Sequence, residues 1–296
     1  MRESIGKLEK PLNALRFGAL PFGVRCRLAA APLLFRLSRT GAYRVLVSST
    51  RWRSPSPLPK EQRVTLDGID IYLARDGSLS DVGTLYEIFI SGDYDTDYRD
   101  AVVVDLGAHK GYFGAYALHR GAAAVLSYEP ESTNFGYLER AAASARSDAF
   151  EWRVSKTAVG ARGGEAELNV SPDSWTHSLL PRPGRMVDSE QIRVVAMADV
   201  LDEARSLGGR RLIVKMDVEG AECEIVAKTP TESWRGVDEL FLELHGFSPC
   251  SFAQVANQLQ LAGLESARSG GAERAESEFT HEVLRFRREQ SRGGPS

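Results

Sequence analysis

The sequence predicts an α/β protein built on a mostly parallel sheet with helices on both faces. Two observations carry this. From residue 101 onward, short apolar β-rich runs alternate with helical patterns, the signature of βαβ units. One of those runs, Val102-Val103-Val104-Asp105, passes straight into a glycine turn and a helix, which is where open α/β sheets place their ligands.

The parts follow in chain order. Residues 1–60 form a basic segment, with 12 Lys/Arg against two acids, Glu3 and Glu9. Pro11, Pro21 and Pro32 break it into two or three short helices. Ser54-Pro55-Ser56-Pro57-Leu58-Pro59 is then an extended linker, so a domain boundary falls near residue 60 and the main domain covers 61–296. Runs at 63–66 and 69–73 flank Asp67-Gly68 as a hairpin. Candidate strands lie at 102–105, 125–129, 152–159, 212–217 and 240–244, with a closing antiparallel pair around 264–269 and 281–287. Helices are expected at 111–120, 132–145 and 221–228. Residues 165–200 read as a β-containing insertion whose polar loop, 171–188, holds Asp173-Ser174-Trp175-Thr176-His177-Ser178 and suits an acceptor lid or a cofactor-facing flap.

Composition narrows the function classes. With 296 residues, 43% hydrophobic and 26% charged, the chain has material for one sizeable core. Beyond the basic segment the balance turns acidic, 25 Lys/Arg against 38 Asp/Glu. The contrast fits a basic layer docked on an acidic domain, or a peripheral membrane contact through residues 1–60. That segment shows no interleaved aromatic platform and its arginines flank short helices, which disfavours nucleic acid as a partner. The apolar run at 28–35 is interrupted by Pro32 and falls short of the roughly 20 residues of a membrane span. Cys26, Cys223 and Cys250 are odd in number and widely spaced, showing neither zinc spacing nor a disulfide framework, so a reducing, cytoplasmic setting is expected.

The glycine turn, Gly107-Ala108-His109-Lys110-Gly111, is the strongest constellation. Gly107 and Gly111 let the backbone turn sharply and approach a ligand closely. A dinucleotide site would want G-x-G-x-x-G, whereas the spacing here is G-x-x-x-G. Asp105 would repel a phosphate but accept hydrogen bonds from a cationic amino-acid moiety, which S-adenosylmethionine has and NAD lacks. Glu129, 24 positions further on at the end of the second strand, can take both ribose hydroxyls. The alternative for this pair is a strand-end Asp and Glu that merely cap helices. Ala108, His109 and, in the third candidate strand, Thr157 complete the cofactor set within the sheet.

Three blocks carry a family likeness: Tyr86-Glu87-Ile88-Phe89-Ile90-Ser91-Gly92-Asp93-Tyr94, the turn from Asp105 to Gly114 with Glu129-Pro130, and Lys215-Met216-Asp217-Val218-Glu219-Gly220-Ala221-Glu222. Over roughly residues 62–250 the chain resembles the FkbM family of methyltransferases. The resemblance implies a class I methyltransferase, Rossmann-like sheet of seven strands, S-adenosylmethionine as cofactor, and O-methylation of a hydroxyl on a sugar or secondary metabolite. It also implies that Glu87 and Tyr94 fold over the cofactor. His109-Lys110 stands where the family usually has Asn-Ile or Asn-Val.

The base for such chemistry is expected at the carboxyl ends of the fourth and fifth strands. Asp217 and Glu219 follow one, and Glu243 and His245 end the other. His245, with an ordinary pKa of about 6.5, is the favoured base, held by Glu219 or Glu243. An alternative gathers Asp217, Glu219 and Glu243 around Mg²⁺, a hard cation that prefers oxygen ligands. The competing functions are a cofactor-binding module without catalysis and an NAD-dependent oxidoreductase. The small-molecule or glycan acceptor, its reacting atom and the oligomeric state are not legible.

Overall fold

The computed structural model describes residues 61–74, 80–145, 147–171, 174, 176–180, 187–245, 247–267 and 281–288. The helices and linker expected within residues 1–60, and Asp173 and Trp175 of the insertion, lie outside the described residues. Among those described, no helix is long and apolar enough to cross a membrane.

The chain divides into two units, one reaching to Thr96 and one beginning at Asp97. In the first, β1 (Glu61–Leu66) and β2 (Ile69–Ala74) pair antiparallel with Leu66 opposite Ile69. Asp67 and Gly68 both take positive φ, 47° and 86°, as the two-residue hairpin turn that suits strand twist requires. Helix α1 (Ser80–Phe89) follows, and Asp81 accepts a 2.6 Å bond from the Ala74 N–H. Glu87 lies on α1, where the Ser91 hydroxyl donates to its carbonyl at 2.6 Å, and Tyr94 is buried.

The second unit runs β3 (Ala101–Leu106), α2 (Tyr112–His119), β4 (Ala124–Tyr128), α3 (Ser132–Ser144), β5 (Glu151–Ser155), β6 (Ala158–Gly160), β7 (Gly164–Val170), β8 (Asp188–Ala196), α4 (Met197–Ser206), β9 (Arg211–Met216), α5 (Glu222–Lys228), a 3₁₀ turn (Thr231–Trp234), β10 (Glu239–His245), α6 (Phe252–Leu261), β11 (Leu264–Ser266) and β12 (His281–Arg288). Seven strands form one sheet in the order β11-β12-β10-β9-β3-β4-β5. The five from β10 to β5 are parallel, while β12 pairs antiparallel with both β10 and β11. The α/β class and the closing antiparallel pair are as the sequence predicts. From β3 the chain winds first toward β4 and β5, then returns to β9 and β10 on the other side. The crevice at the carboxyl ends of β3 and β9 is therefore the topological switch point. These central strands are buried on both faces, and Val104, Leu106, Val214, Met216 and Leu242 join Trp234 and Phe286 in one core cluster, consistent with their reading as continuous apolar runs.

The third predicted strand is two strands. β5 ends the large sheet at Ser155, and β6 pairs with β8 in a separate three-stranded sheet, order β6-β8-β7. The apolar pattern runs across both pieces, which hides the break. The insertion thus begins before residue 165, and it ends at Ala196, where α4 buries Met197, Val200, Leu201 and Ala204.

The cysteine reading is corrected. Cys223 on α5 and Cys250 beyond β10 form a disulfide across a sequence separation of 27, with Cα atoms 5.8 Å apart. The fold, not the spacing, brings them together, and the inference of a reducing compartment loses its basis. Cys26 lies outside the described residues.

Candidate active site

Gly107 opens the turn after β3 with φ 72°. A Cβ there would lie 1.8 Å from the Asp217 carbonyl oxygen, so the close approach is to the loop after β9, where the sequence suggests a ligand. The Gly107 and Ala108 N–H groups both donate to the Tyr128 carbonyl, at 3.1 and 3.0 Å, which moors the turn to the end of β4. Gly111 has φ 88°, and a Cβ on it would come within 2.9 Å of Leu138 and 3.2 Å of Trp152. Its glycine therefore serves the packing of α2 against its neighbours.

His109 has φ 52°. Among non-glycine residues Asn, Asp and His are those enriched in this left-handed region, so His satisfies the backbone where the family favours Asn. Its N–H donates to Glu129 Oε2 at 2.8 Å, and its Nε2 lies 3.2 Å from the Ser174 hydroxyl. Burial holds its pKa well below the ordinary value, with Lys110 acting in the same direction, so the ring is neutral.

Glu129 follows β4, and its other oxygen accepts the Glu131 N–H at 2.9 Å. Glu129 is not a helix cap. That role belongs to Glu131, which accepts the Thr133 and Asn134 N–H groups at 2.9 and 2.7 Å at the start of α3. With one backbone donor on each oxygen, the Glu129 carboxylate is fixed in orientation and each oxygen keeps further acceptor capacity, which fits a pair of ribose hydroxyls. Burial pushes its pKa up to about 8. Thr157, between β5 and β6, is buried and lies 3.0 Å from the Ser155 hydroxyl.

Asp105 is fully buried and neither carboxylate oxygen has a hydrogen bond among the described residues. Such a group is costly unless something answers it. Lys215 Nζ stands 3.5 Å away. Burial raises the Asp105 pKa and the Lys215 charge works against that rise. A buried carboxylate beside the glycine turn, paired with Lys215 but without a hydrogen bond that fixes its oxygens, fits the cationic ammonium of an amino-acid moiety.

The loop from β9 to α5 carries most of the groups expected for the acceptor chemistry. Glu222, buried, accepts the Val218 and Gly220 N–H groups at 3.1 and 2.8 Å. Glu219 between them has φ 55°, a strained position of the sort found at functional sites. The Ser178 hydroxyl donates to its carbonyl at 2.6 Å. His245 closes β10, with Nε2 at 3.5 Å from Glu219 and 3.8 Å from Asp217, and Nδ1 at 3.4 Å from Glu222. Burial alone would lower the His245 pKa, but Glu219 and Glu222 push it up to about 11. The imidazole is therefore charged at neutral pH. Lys215 behaves alike: burial opposes its charge, yet Asp217, Asp105 and Glu243 together raise its pKa.

Of the residues expected for catalysis, Asp217, Glu219 and His245 meet. Glu243, 7% exposed, acts on Lys215 from β10. Glu222 and Lys215 also belong to the arrangement without having been named for it, and Ser174 and Ser178 come from the loop expected as an acceptor lid or cofactor-facing flap. The ligating atoms that converge within 4.8 Å are those of Asp217, Glu222 and His245 rather than the three carboxylates expected around Mg²⁺. Each ring nitrogen of His245 faces a carboxylate at ion-pair distance, an arrangement that suits a charged imidazolium.

Comparison with known proteins gives the family. No curated protein sequence matches the chain. Solved structures similar to it include the methyltransferase FkbM from Methylobacillus flagellatus KT, 17% identical with a TM-score of 0.45, covering 67% of this chain and 46% of that one. The chain thus spans under half the length of that protein. Others are the magnesium protoporphyrin IX methyltransferase from Synechocystis PCC 6803 with bound SAM (12%, TM-score 0.37, 65% of this chain and 72% of that one) and a SAM-dependent methyltransferase from Agrobacterium tumefaciens (9%, 0.36, 79% and 72%). The sequence profile of the methyltransferase FkbM domain matches residues 105–285, from the buried aspartate of β3 into β12. Because that match spans more than half of the 296 residues, the chain belongs to the methyltransferase FkbM domain family.

Proposed function

We propose that the chain is an S-adenosylmethionine-dependent O-methyltransferase acting on a hydroxyl of a sugar or secondary-metabolite acceptor. The observation that carries this reading is Glu129, whose two oxygens are each aimed by one backbone N–H beside the glycine turn, with Asp105 buried and without a fixing hydrogen bond at the end of the neighbouring strand. Asp105, Gly107, Ala108, His109, Gly111, Glu129 and Thr157 would hold the cofactor. When bound, S-adenosylmethionine supplies an electrophilic methyl group.

The chain's own residues orient the acceptor and take its proton. The Asp217 side chain is 26% exposed against 16% for Glu219, 11% for His245 and none for Glu222, so its carboxylate is the member of the cluster best placed to receive the proton. His245, already charged, holds Asp217 and Glu219 in position and balances their charge. Proton removal of this kind contributes on the order of 10²–10⁴-fold in rate. The remainder comes from alignment, worth roughly 7–11 kcal/mol in well-oriented systems.

A second reading, a cofactor-binding module without turnover, draws on the same charged His245, which is no base at neutral pH. Methyl transfer from labelled S-adenosylmethionine to a panel of hydroxyl, carboxyl and amine acceptors separates the two. Labelled ether product is expected. Labelled ester or amine product alone contradicts the O-methyl reading, and cofactor binding without any product supports the module.

A further inference from the structure

Lys215 occupies a place that register alone specifies. In the parallel pairing of β3 with β9, Asp105 is opposite Lys215. Asp217 lies two positions beyond Lys215, on the same side of the chain by the alternation of a strand. The consequence is a row of carboxylate, ammonium and carboxylate at the switch point, buried at Asp105 and Lys215 and partly exposed at Asp217. Lys215 Nζ is 3.5 Å from Asp105, 3.4 Å from Asp217 and 3.0 Å from the Gly107 carbonyl, to which it donates. Its side chain is only 6% exposed, and the ammonium lies 5.9 Å from the centre of the Phe113 ring, a further source of stabilisation for a desolvated cation.

We infer that Lys215 is a positioning residue: its ammonium ties the cofactor-side carboxylate Asp105 to the acceptor-side carboxylate Asp217 and holds both in place. This rests on the cofactor reading proposed above. Without the ammonium, the buried Asp105 would face the partly exposed Asp217 uncompensated, and Asp105 would take up a proton rather than offer its charge to a cationic ligand. The groups that bear on this row are Asp105 of β3, Ser127 of β4, Asp217 of the acid loop and Glu243 of β10, with Glu129 and His109 also within its field.

The test is a calorimetric titration with S-adenosylhomocysteine from about pH 5 to about pH 9 on the intact chain and on Lys215→Gln, which keeps a donor for Gly107 but drops the charge. The pH at which affinity is half lost on acidification is expected to rise by about 1–3 units in the variant, and Lys215→Arg is expected to stay near the parent. An unshifted midpoint in Lys215→Gln overturns the tie. So does a shift of the same size between Asp105→Asn and Asp105→Asn/Lys215→Gln, which would assign the effect to Glu129. If Lys215→Gln is unfolded at neutral pH, it should regain its circular dichroism toward acid pH as the two carboxylates protonate, and failure to do so also overturns the tie. No binding by the intact chain at any pH would instead remove the cofactor reading itself.

Discussion

Gly107 and Asp217 are in backbone contact: a Cβ atom on the glycine would sit 1.8 Å from the aspartate's carbonyl oxygen. The turn that holds the cofactor-side groups and the loop that carries the acceptor-side acids are therefore one packed unit across the switch point. Gly107→Ala would add both this clash and about 1–3 kcal/mol of backbone strain from its φ of 72°. A fall in melting temperature of ~2–4 °C for each kcal/mol is expected by circular dichroism, together with weaker S-adenosylhomocysteine binding. Unchanged melting would show that the two loops are free to separate.

His245 predicts a pH dependence of stability. Its folded pKa is pushed up to about 11, well above the ordinary value of about 6.5. Stability gained from its charge is thus fully present below about pH 6.5 and is lost as pH rises through the folded value. Denaturant titrations of the parent should show stability falling across that alkaline window, and His245→Gln should flatten this slope because the partners Glu219, Asp217 and Glu222 no longer face a titrating cation. Equal slopes would contradict the charged state.

The disulfide joins the helix that begins at Glu222 to the segment that follows His245. It therefore braces the two strand ends that carry the acceptor-side cluster. Replacing Cys223 and Cys250 by Ser is expected to cost about 2–4 kcal/mol in denaturant unfolding, and reduction of the parent by a dithiol should lower it to the same level. One free thiol, that of Cys26, is expected in the denatured, unreduced protein, and three counted by a thiol reagent would contradict the bridge.

Much of this was legible in the sequence, and the part that was not has a physical reason. The buried strands announce themselves by composition, and Asp105, Gly107 and Gly111 lie within one local turn whose geometry their residue types encode. Glu129 is legible because it ends the next strand. Contacts between distant positions leave no such trace. Lys215 reaches the Gly107 carbonyl across 108 positions, Cys223 meets Cys250 across 27, and Glu222 meets His245 only once β9 and β10 are paired. The expected third strand failed for a related reason: Trp152, Val154, Ala158 and Val159 make one apolar pattern, yet the sheet ends at Ser155 and the later residues belong to another. His245 as a neutral base was argued from its ordinary pKa, and three carboxylates brought together by the fold change that value.

The central claim, that the glycine turn and its two acids bind S-adenosylmethionine, is tested most directly by calorimetric titration of the purified chain with S-adenosylhomocysteine beside Glu129→Gln. The substitution keeps the size of the side chain and replaces one acceptor oxygen by an amide donor. The account predicts saturable binding by the parent, weakened by roughly tenfold or more in the variant, the scale of the about 1–3 kcal/mol lost when a buried hydrogen-bonding group is left without its partner. Absence of binding by the parent, or equal affinity in the two proteins, would contradict it.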